Sequence, residues 1–152
     1  MILIDTRERK PLWDPLKFEV QKKKLDEGDY TTDKLFNLAH IERKSGIDLY
    51  GSLIHNHKRF SAEIQRAIEK DLTFAVFVEC SEKTFISKRF KGGSRLKVKS
   101  EVLAKIISTF VNRYPIEWVW CRNREELRTK MCFWFEEQTN QLVKNKQGGF
   151  DA

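Results

Sequence analysis

The run at residues 72–80 restricts the fold more than any other part of the sequence, because it is almost entirely apolar and rich in β-branched and aromatic residues. A strand with one exposed face would carry polar residues at alternate positions, so this run predicts a central strand covered on both faces. Helical periodicity predicts amphipathic helices before and after it, at about residues 45–54, 56–70, 100–114 and 123–142. Helices available to cover both faces of a buried sheet indicate an α/β domain with three layers.

The first 44 residues contribute strands rather than long helices. Residues 1–5 predict a short buried strand, and residues 30–44 predict a hairpin. Another buried strand is predicted at residues 116–121. This β-rich start, followed by strands that alternate with long helices, predicts a mixed central sheet. A chain of 152 residues is long enough for one domain with one core.

Charged side chains occupy the second strand of the predicted hairpin. Because strand side chains alternate between faces, Glu42 and Lys44 share one face and Arg43 points to the other. Asp29 lies at the other open end of the hairpin, and antiparallel pairing brings the two ends together. A carboxylate beside an ammonium group on a rigid strand can hold a divalent cation and orient a water or a phosphate. This is the chemistry of metal-dependent phosphodiester cleavage.

The formal net charge of +7 favours a polyanionic partner such as nucleic acid. Residues 88–99 form a basic segment with two glycines and no acidic residue, which we call the basic segment. We predict that residues 81–98 form an irregular, mobile loop and that the basic segment contacts DNA phosphates, and the alternative is a solvated loop without a partner. The predicted DNA contacts are Lys88, Arg89, Lys91, Arg95 and Lys97.

Cysteine usage and the apolar runs suggest a compartment. Cys80, Cys121 and Cys132 lack any paired metal-ligand spacing, and their odd number predicts buried, reduced thiols. Asp5 interrupts the apolar start, and no run approaches the ~18 apolar residues needed to cross a bilayer. We therefore expect an intracellular, soluble protein of the cytoplasm, nucleoid or nucleus that is not secreted and has no membrane partner.

Two motifs occur together in the sequence. The longer motif is Gly28-Asp29, twelve residues, Glu42-Arg43-Lys44, three residues and Asp48. The shorter motif is the apolar start followed by Asp5-Thr6-Arg7-Glu8. Together they resemble the signature of the XPF-type structure-specific endonucleases, and the resemblance covers about 140 residues. It implies a restriction-endonuclease-like fold, with a nuclease domain at residues 1–143 and a flexible tail at 144–152.

The resemblance also implies a metal site. Asp29 and Glu42, helped by the backbone carbonyl of Arg43, would hold a first Mg²⁺ or Mn²⁺ ion. Asp5 or Glu8 would support a second ion or orient its waters. An ordinary strand-surface salt bridge between Glu42 and Lys44 is the alternative for an isolated pair of this kind.

The other motif residues have implied roles as well. Lys44 would position the attacking water and help to deprotonate it, and Arg43 would anchor the strand or a phosphate beside it. Arg7 would contact a phosphate through its planar donor fork. Asp48 would contribute to the active site, although an acid three residues after Ser45 can also cap a helix.

The sequence departs from the resemblance in two respects. No segment after residue 142 resembles the tandem helix-hairpin-helix domain that grips branched DNA in this family, so we expect grip from basic loops, a dimer partner or another protein. Glu63 stands near the position where the family has a glutamine. We also predict a homodimer through the last two helices, because Cys132, Phe133 and their apolar neighbours exceed what one core face can absorb.

The function expected from these observations is metal-dependent endonucleolytic cleavage of DNA, in branched or flap structures formed during repair or recombination. A non-catalytic DNA-binding or scaffolding subunit is the alternative from another class. A nuclease that acts on single strands or RNA would share the same chemistry.

Overall fold

The computed structural model describes residues 1–14 and 18–148, which form one six-stranded sheet and five α-helices. The strands are β1 (Ile2–Ile4), β2 (Val20–Lys22), β3 (Tyr30–Thr32), β4 (Ala39–Lys44), β5 (Thr73–Val78) and β6 (Glu117–Trp120). The helices are α1 (Gly46–Ile54), α2 (His57–Glu69), α3 (Glu82–Ile86), α4 (Ser100–Arg113) and α5 (Arg124–Gly148). Each helix of the described ranges is too short or too polar to cross a lipid bilayer.

The sheet has the strand order β2-β1-β3-β4-β5-β6. Strand β3 pairs antiparallel with both β1 and β4, whereas the β1–β2, β4–β5 and β5–β6 pairs are parallel. Strand β3 therefore supplies both antiparallel pairs, and the parallel β4–β5 and β5–β6 pairs are connected through helices. The predicted mixed central sheet is confirmed.

Two apolar cores lie on opposite faces of this sheet. Phe74, Val76 and Val78 of β5 pack into the core that includes α1, α2 and α4. Ala75 and Phe77 of the same strand pack into the other core, with α5. Successive side chains of β5 thus enter different cores, as expected of a strand covered on both faces. The predicted three-layer architecture is confirmed.

The pairing of β4 with β5 determines which way the side chains of β4 point. The two strands pair in parallel, with Glu42 opposite Val76 and Arg43 opposite Phe77. Because paired residues share a face, Glu42 and Lys44 point to the layer of α1 and α2, and Arg43 points to the layer of α5. The predicted alternation along this strand is confirmed, and it separates two sets of charged contacts.

The helices that follow β4 begin where the sequence predicts. Ser45 precedes α1, and its hydroxyl oxygen accepts a hydrogen bond from the Asp48 N–H at 3.2 Å. Helix α2 buries Phe60, Ile64 and Ala67 against the sheet. The apolar stripe of α2 therefore fixes which of its polar residues face β4.

The basic segment and its approach, residues 81–98, differ from the predicted irregular loop. Ser81 caps α3 by accepting the Thr84 N–H at 3.1 Å, and a single 3-10 turn covers Gly93–Arg95. Lys88 is half-buried, and its ammonium group donates to the Leu96 carbonyl at 3.1 Å. The segment is therefore held by its own short helices and hydrogen bonds.

Aromatic packing joins this segment to α1. Phe85 is fully buried, and its ring stacks on Phe90 at a centroid distance of 5.6 Å. Phe90 lies against Gly46 so closely that a Cβ on this glycine would come within 2.5 Å of the ring. Residue 46 must therefore be glycine for the segment to rest on the start of α1.

Helix α5 is longer than predicted. It continues to Gly148, so residues 144–148 are helical rather than part of a frayed tail, and residues 149–152 lie outside the described residues. Its apolar stripe is buried as predicted, whereas the Phe133 side chain is 66% exposed. Cys132 is also exposed, so the expectation of three buried thiols is wrong at this position.

Candidate active site

A cavity of about 870 Å³ opens between the β3–β4 hairpin and helices α1 and α2. Its wall contains seven of the residues predicted from the motifs: Arg7, Glu8, Asp29, Glu42, Arg43, Lys44 and Asp48. Helices α1 and α2 complete the wall with polar residues that include Ser52, Asn56, Arg59, Glu63 and Arg66. The fold therefore brings both sequence motifs to one concave and largely polar site.

Asp29 is clamped to strand β4. Its N–H donates to the Ile41 carbonyl at 2.7 Å, and its Oδ2 accepts the Arg43 N–H at 2.8 Å. The preceding Gly28 has φ +85°, and a Cβ there would lie 3.0 Å from the Ile41 oxygen and 3.1 Å from the His40 Cβ. Glycine is required at this turn for both reasons, and the turn sets the Asp29 carboxylate beside β4.

The half-buried Asp29 and the buried Glu42 form a pair of carboxyl groups. Burial, and then the charges of Glu8 and Glu63, raise the pKa of Asp29 to about 6, although the Arg43 N–H opposes the shift. Burial, followed by the charges of Asp29 and Glu63, raises the pKa of Glu42 well above its usual range. Carboxylates held in this way repel one another, and a cation between them removes the repulsion.

Lys44 is the ammonium group nearest this pair on β4. Its Nζ lies 3.5 Å from Glu42 Oε1 and 4.9 Å from the centre of the Phe60 ring, over which it is positioned. The Lys44 side chain is only 17% exposed. One ammonium group therefore faces the two carboxyl groups from within the cavity wall.

The opposite face of β4 carries a closed network of ion pairs. The Arg43 guanidinium donates to both oxygens of Glu8, at 2.9 and 3.0 Å, and to Glu79 Oε2 at 3.3 Å. Glu79 also lies 3.7 Å from Arg124 of α5. Arg43 thus anchors β4 to the segment after β1, to the end of β5 and to α5.

The N-terminal motif is also held by hydrogen bonds. Asp5 is 1% exposed, and its Oδ1 and Oδ2 accept from the Leu25 N–H and from Arg7 Nε, each at 2.8 Å. Arg7 Nη2 donates to the Leu25 carbonyl at 2.7 Å, which leaves the guanidinium on the cavity wall. Asp5 positions Arg7, and Glu8 accepts from Arg43. The assignment of Asp5 and Glu8 as ligands or water-orienting groups for a second ion stays a prediction.

Asp48 and the basic segment have different relations to the cavity. Asp48 lies on the wall, and its backbone N–H donates to the helix-capping Ser45, while both predicted roles of its carboxylate stay predictions. The basic segment lies outside this wall, beyond Ile47, which approaches it at Gly92. Its exposed cations are Arg89, Lys91, Arg95, Lys97 and Lys99. They do not line the cavity, and their contact with DNA stays a prediction.

Several cavity residues were absent from the predicted site. Asn56, Arg59, Glu63 and Arg66 are spaced by three, four and three residues, which places them on one face of α2. This polar stripe adjoins the apolar stripe that packs on the sheet. The helical spacing was visible in the sequence, but nothing in it indicated that this face of α2 would be opposite β4.

The donor set of the cavity fits a hard divalent cation. Asp29, Glu42 and Glu63 offer carboxylate oxygens, and Mg²⁺ is commonly held by one or two carboxylates while it keeps several waters. Within residues 1–14 and 18–148, no three acidic, histidine or cysteine side chains already converge as a metal-holding group. The site therefore suits an ion that retains waters better than an ion that needs a full cage of protein ligands.

Comparisons with known proteins connect this geometry to a fold. No family model and no curated protein matches the sequence. A structure of XPF from Aeropyrum pernix is similar, with 22% sequence identity, a TM-score of 0.65 and coverage of 91% of this chain and 61% of that one. A second structure, of the same protein in complex with DNA, shows 22% identity, a TM-score of 0.60 and coverage of 95% and 65%.

The similarity spans nearly all of this chain but less than two thirds of the XPF chains. The restriction-endonuclease-like fold implied by the two motifs is therefore confirmed. The chain has the fold of these XPF structures.

Proposed function

We propose that this chain is a metal-dependent endonuclease domain that hydrolyses phosphodiester bonds in DNA. The observation that carries the proposal is the convergence of Asp29, Glu42 and Lys44 on the wall of one open cavity. The DNA-bound XPF structure from Aeropyrum pernix, which has the same fold, supports DNA as the substrate. The formal net charge of +7 agrees with a polyanionic substrate.

Asp29 and Glu42 are the residues that would hold a Mg²⁺ or Mn²⁺ ion. When bound, such an ion supplies positive charge for the phosphate and lowers the pKa of a water ligand. The two carboxyl groups come from opposite ends of one hairpin, and the Arg43 N–H fixes the Asp29 side chain against β4. The protein therefore sets the separation of the two ligands through backbone pairing rather than through flexible side chains.

Lys44 would orient the attacking water and stabilise negative charge on the phosphate. Its ammonium group is held between the Glu42 carboxylate and the Phe60 ring, so it points into the cavity rather than into solvent. An ammonium group fixed in a partly buried site stabilises developing charge more strongly than the same group in water.

Arginines on the wall would hold the DNA backbone. Arg7 lies on the hairpin side of the cavity, and Arg59 and Arg66 lie on the α2 side. A strand that crosses the cavity would meet guanidinium groups on both sides of the carboxyl pair. Beyond the cavity, the exposed cations of the basic segment would extend the phosphate contacts.

A homodimer would add a second DNA-binding surface to the nuclease fold. The last two helices lie on opposite faces of the sheet, which narrows the proposed contact to α5. Phe133 is 66% and Phe18 is 52% exposed, and both border a hollow that contains Arg128 and Glu136. A patch with an apolar centre and charges of both signs can pair with a second copy of itself about a two-fold axis.

Light scattering tests the dimer. We expect a mass about twice 18.1 kDa at tens of micromolar protein, and a shift to the monomer mass for Phe133→Ser. A wild-type monomer with full cleavage activity would rule out this part of the proposal. Val143→Ser, at another exposed apolar position on α5, is the matched control and should leave the mass unchanged.

The activity itself is tested with matched flap, fork, junction, single-stranded and RNA substrates in Mg²⁺ and in EDTA. We expect Mg²⁺-dependent cleavage of DNA, with the branched substrates cut fastest. Binding of these DNAs without cleavage of any of them in either Mg²⁺ or Mn²⁺ would instead identify a non-catalytic DNA-binding domain. Faster cleavage of the RNA or the unbranched single strand would correct the substrate.

A further inference from the structure

Helix α2 adds a third carboxylate to the candidate active site. Glu63 is half-buried and lines the cavity, on the wall opposite β4. Its Oε2 accepts the Gly28 N–H at 3.2 Å, and its side chain lines the same cavity as Glu42. Glu63 therefore contacts the glycine that precedes Asp29 and shares the cavity with the glutamate of β4.

The neighbouring cations do not pair with Glu63. On the same layer, Glu27 Oε1 forms salt bridges with Lys70 Nζ at 2.7 Å and with Arg66 Nε at 3.4 Å. Among the described residues, by contrast, Glu63 makes no salt bridge, although Arg59 and Arg66 lie four residues before it and three after it on the same helix face. Two cations thus neutralise Glu27, whereas Glu63 remains on the cavity wall with Glu42.

The charge count of the site favours a bound cation. Asp29, Glu42 and Glu63 contribute three carboxyl groups to one cavity from three different chain segments, and Lys44 is the ammonium group that lies 3.5 Å from Glu42. Carboxylates that line one cavity repel each other unless a proton or a cation lies between them. A divalent cation would balance the charge that Lys44 does not.

We propose that Glu63 is a cation-binding residue of this site, in contact with the ion or with a water that the ion retains. The inference rests on the proposed function and deepens it, since it adds a ligand group from a helix to the two from the hairpin. Cation binding would then join α2 to the hairpin and close one side of the cavity.

A purely structural role for Glu63 makes a different prediction. If Glu63 only fixes the turn at Gly28, glutamine serves equally, because its side-chain oxygen also accepts the Gly28 N–H. If Glu63 supplies charge to the cation, glutamine fails. The variant Glu63→Gln therefore separates the two roles while it preserves the shape of the side chain.

The experiment measures Mn²⁺ binding to the full chain without DNA, by the loss of the free Mn²⁺ signal in electron paramagnetic resonance. We expect Glu63→Gln to weaken Mn²⁺ affinity by ~10–100-fold, the range seen when residues that support metal ligands are replaced. The control is Glu69→Gln, an exposed acid on the same helix, which should bind as the wild type does. Glu63→Asp, which keeps the charge, should bind Mn²⁺ more tightly than Glu63→Gln.

Two results would overturn the inference. One is Mn²⁺ affinity of Glu63→Gln within about twofold of wild type, and the other is equal loss of affinity in Glu63→Gln and Glu63→Asp. In either case, a wild-type protein that binds Mn²⁺ and cleaves DNA keeps the proposed function intact. A wild-type protein that binds no Mn²⁺ would instead remove the proposed function and this inference together.

Discussion

The two faces of β4 differ in how their carboxylates are paired with cations. On the α5 side, Arg43 neutralises Glu8 and Glu79, and both oxygens of Glu8 accept hydrogen bonds from one guanidinium group. On the side of α1 and α2, Glu42 faces Asp29 across the hairpin with one ammonium group nearby. The same strand therefore has a closed face, where every charge is paired, and an open face, where negative charge exceeds positive charge.

The closed face stabilises the fold, and the open face holds the groups suited to chemistry. The closed face joins distant parts of the chain, because Glu8 and Arg43 are separated by 35 positions in sequence. The open face keeps two carboxyl groups with raised pKa values, and such perturbed groups cluster at functional sites. Substitutions on the closed face should change stability, and substitutions on the open face should change activity.

The largest expected effect is on the closed face. Replacing Arg43 with Met leaves Glu8 and Glu79 poorly paired in a half-buried site, and such a loss costs about 3–5 kcal/mol. We expect the free energy of unfolding, from urea denaturation, to fall by this amount. The control is Arg122→Met, which removes an exposed ion pair with Glu126 and should barely move the denaturation midpoint. Equal behaviour of the two variants would contradict the structural role of the closed face.

The next effect concerns chemistry on the open face. Asp29→Asn keeps the acceptor for the Arg43 N–H but removes the charge that would hold the cation. Cleavage should fall by ~100-fold or more, while DNA affinity stays near the wild-type value, because the basic residues are unchanged. Gel-based cleavage and binding assays measure both quantities. A variant that still cuts at more than about a tenth of the wild-type rate would place the active site elsewhere.

Cation binding at the open face should depend on pH. The pKa of Asp29 lies near 6 rather than 3.8, mainly because of burial, so protons compete with the cation below about pH 6. We expect Mn²⁺ affinity to fall as the pH drops through this range, and calorimetric titrations from pH 5 to 8 measure it. Without cation, the same raised pKa means that the Asp29 contribution to stability is lost as pH rises from about 4 through about 6. Affinity that is independent of pH would contradict this electrostatic picture.

The smallest expected effect lies outside the cavity. Replacing Arg89, Lys91 and Arg95 with Gln should weaken binding of all DNA sequences alike and leave stability unchanged, since these three residues are exposed. Lys88 is spared because its ammonium group donates to the Leu96 carbonyl. Each phosphate of duplex DNA that the variant no longer neutralises should flatten the logarithmic salt dependence by about 0.9. An unaltered salt slope would show that the basic segment lies away from the DNA.

The sequence predicts much of the scaffold around the open face because the signals there are local. The Ser45 cap, the period of α2 and the alternation along β4 each depend on residues within a few positions of one another. They fix the start of α1, the buried side of α2 and the shared face of Glu42 and Lys44. The turn at Gly28 is only partly local, because the atoms that exclude a Cβ there belong to His40, Ile41 and Phe74.

The rest depends on contacts that sequence spacing does not reveal. Phe90 resting on Gly46 gives the basic segment its order, and the two residues are far apart in the chain. The pairing of Glu8 with Arg43 and the approach of Glu63 to Gly28 each span 35 positions. These contacts form only when helices and strands dock, so period and capping arguments cannot identify them.

The variant Glu42→Gln decides whether the open face is kept charged for a cation, because stability and cleavage can be measured on the same sample. If the open face is kept charged for a cation, Glu42→Gln should raise the free energy of unfolding in EDTA at pH 8. The raised pKa of the buried Glu42 means that this carboxyl group disfavours folding at that pH, and glutamine removes this cost. The same variant should lose Mg²⁺-dependent cleavage by ~100-fold or more. A variant that is less stable than wild type in EDTA and still cuts DNA would show that Glu42 is an ordinary structural salt-bridge partner of Lys44, and would contradict a cation-binding role for the open face.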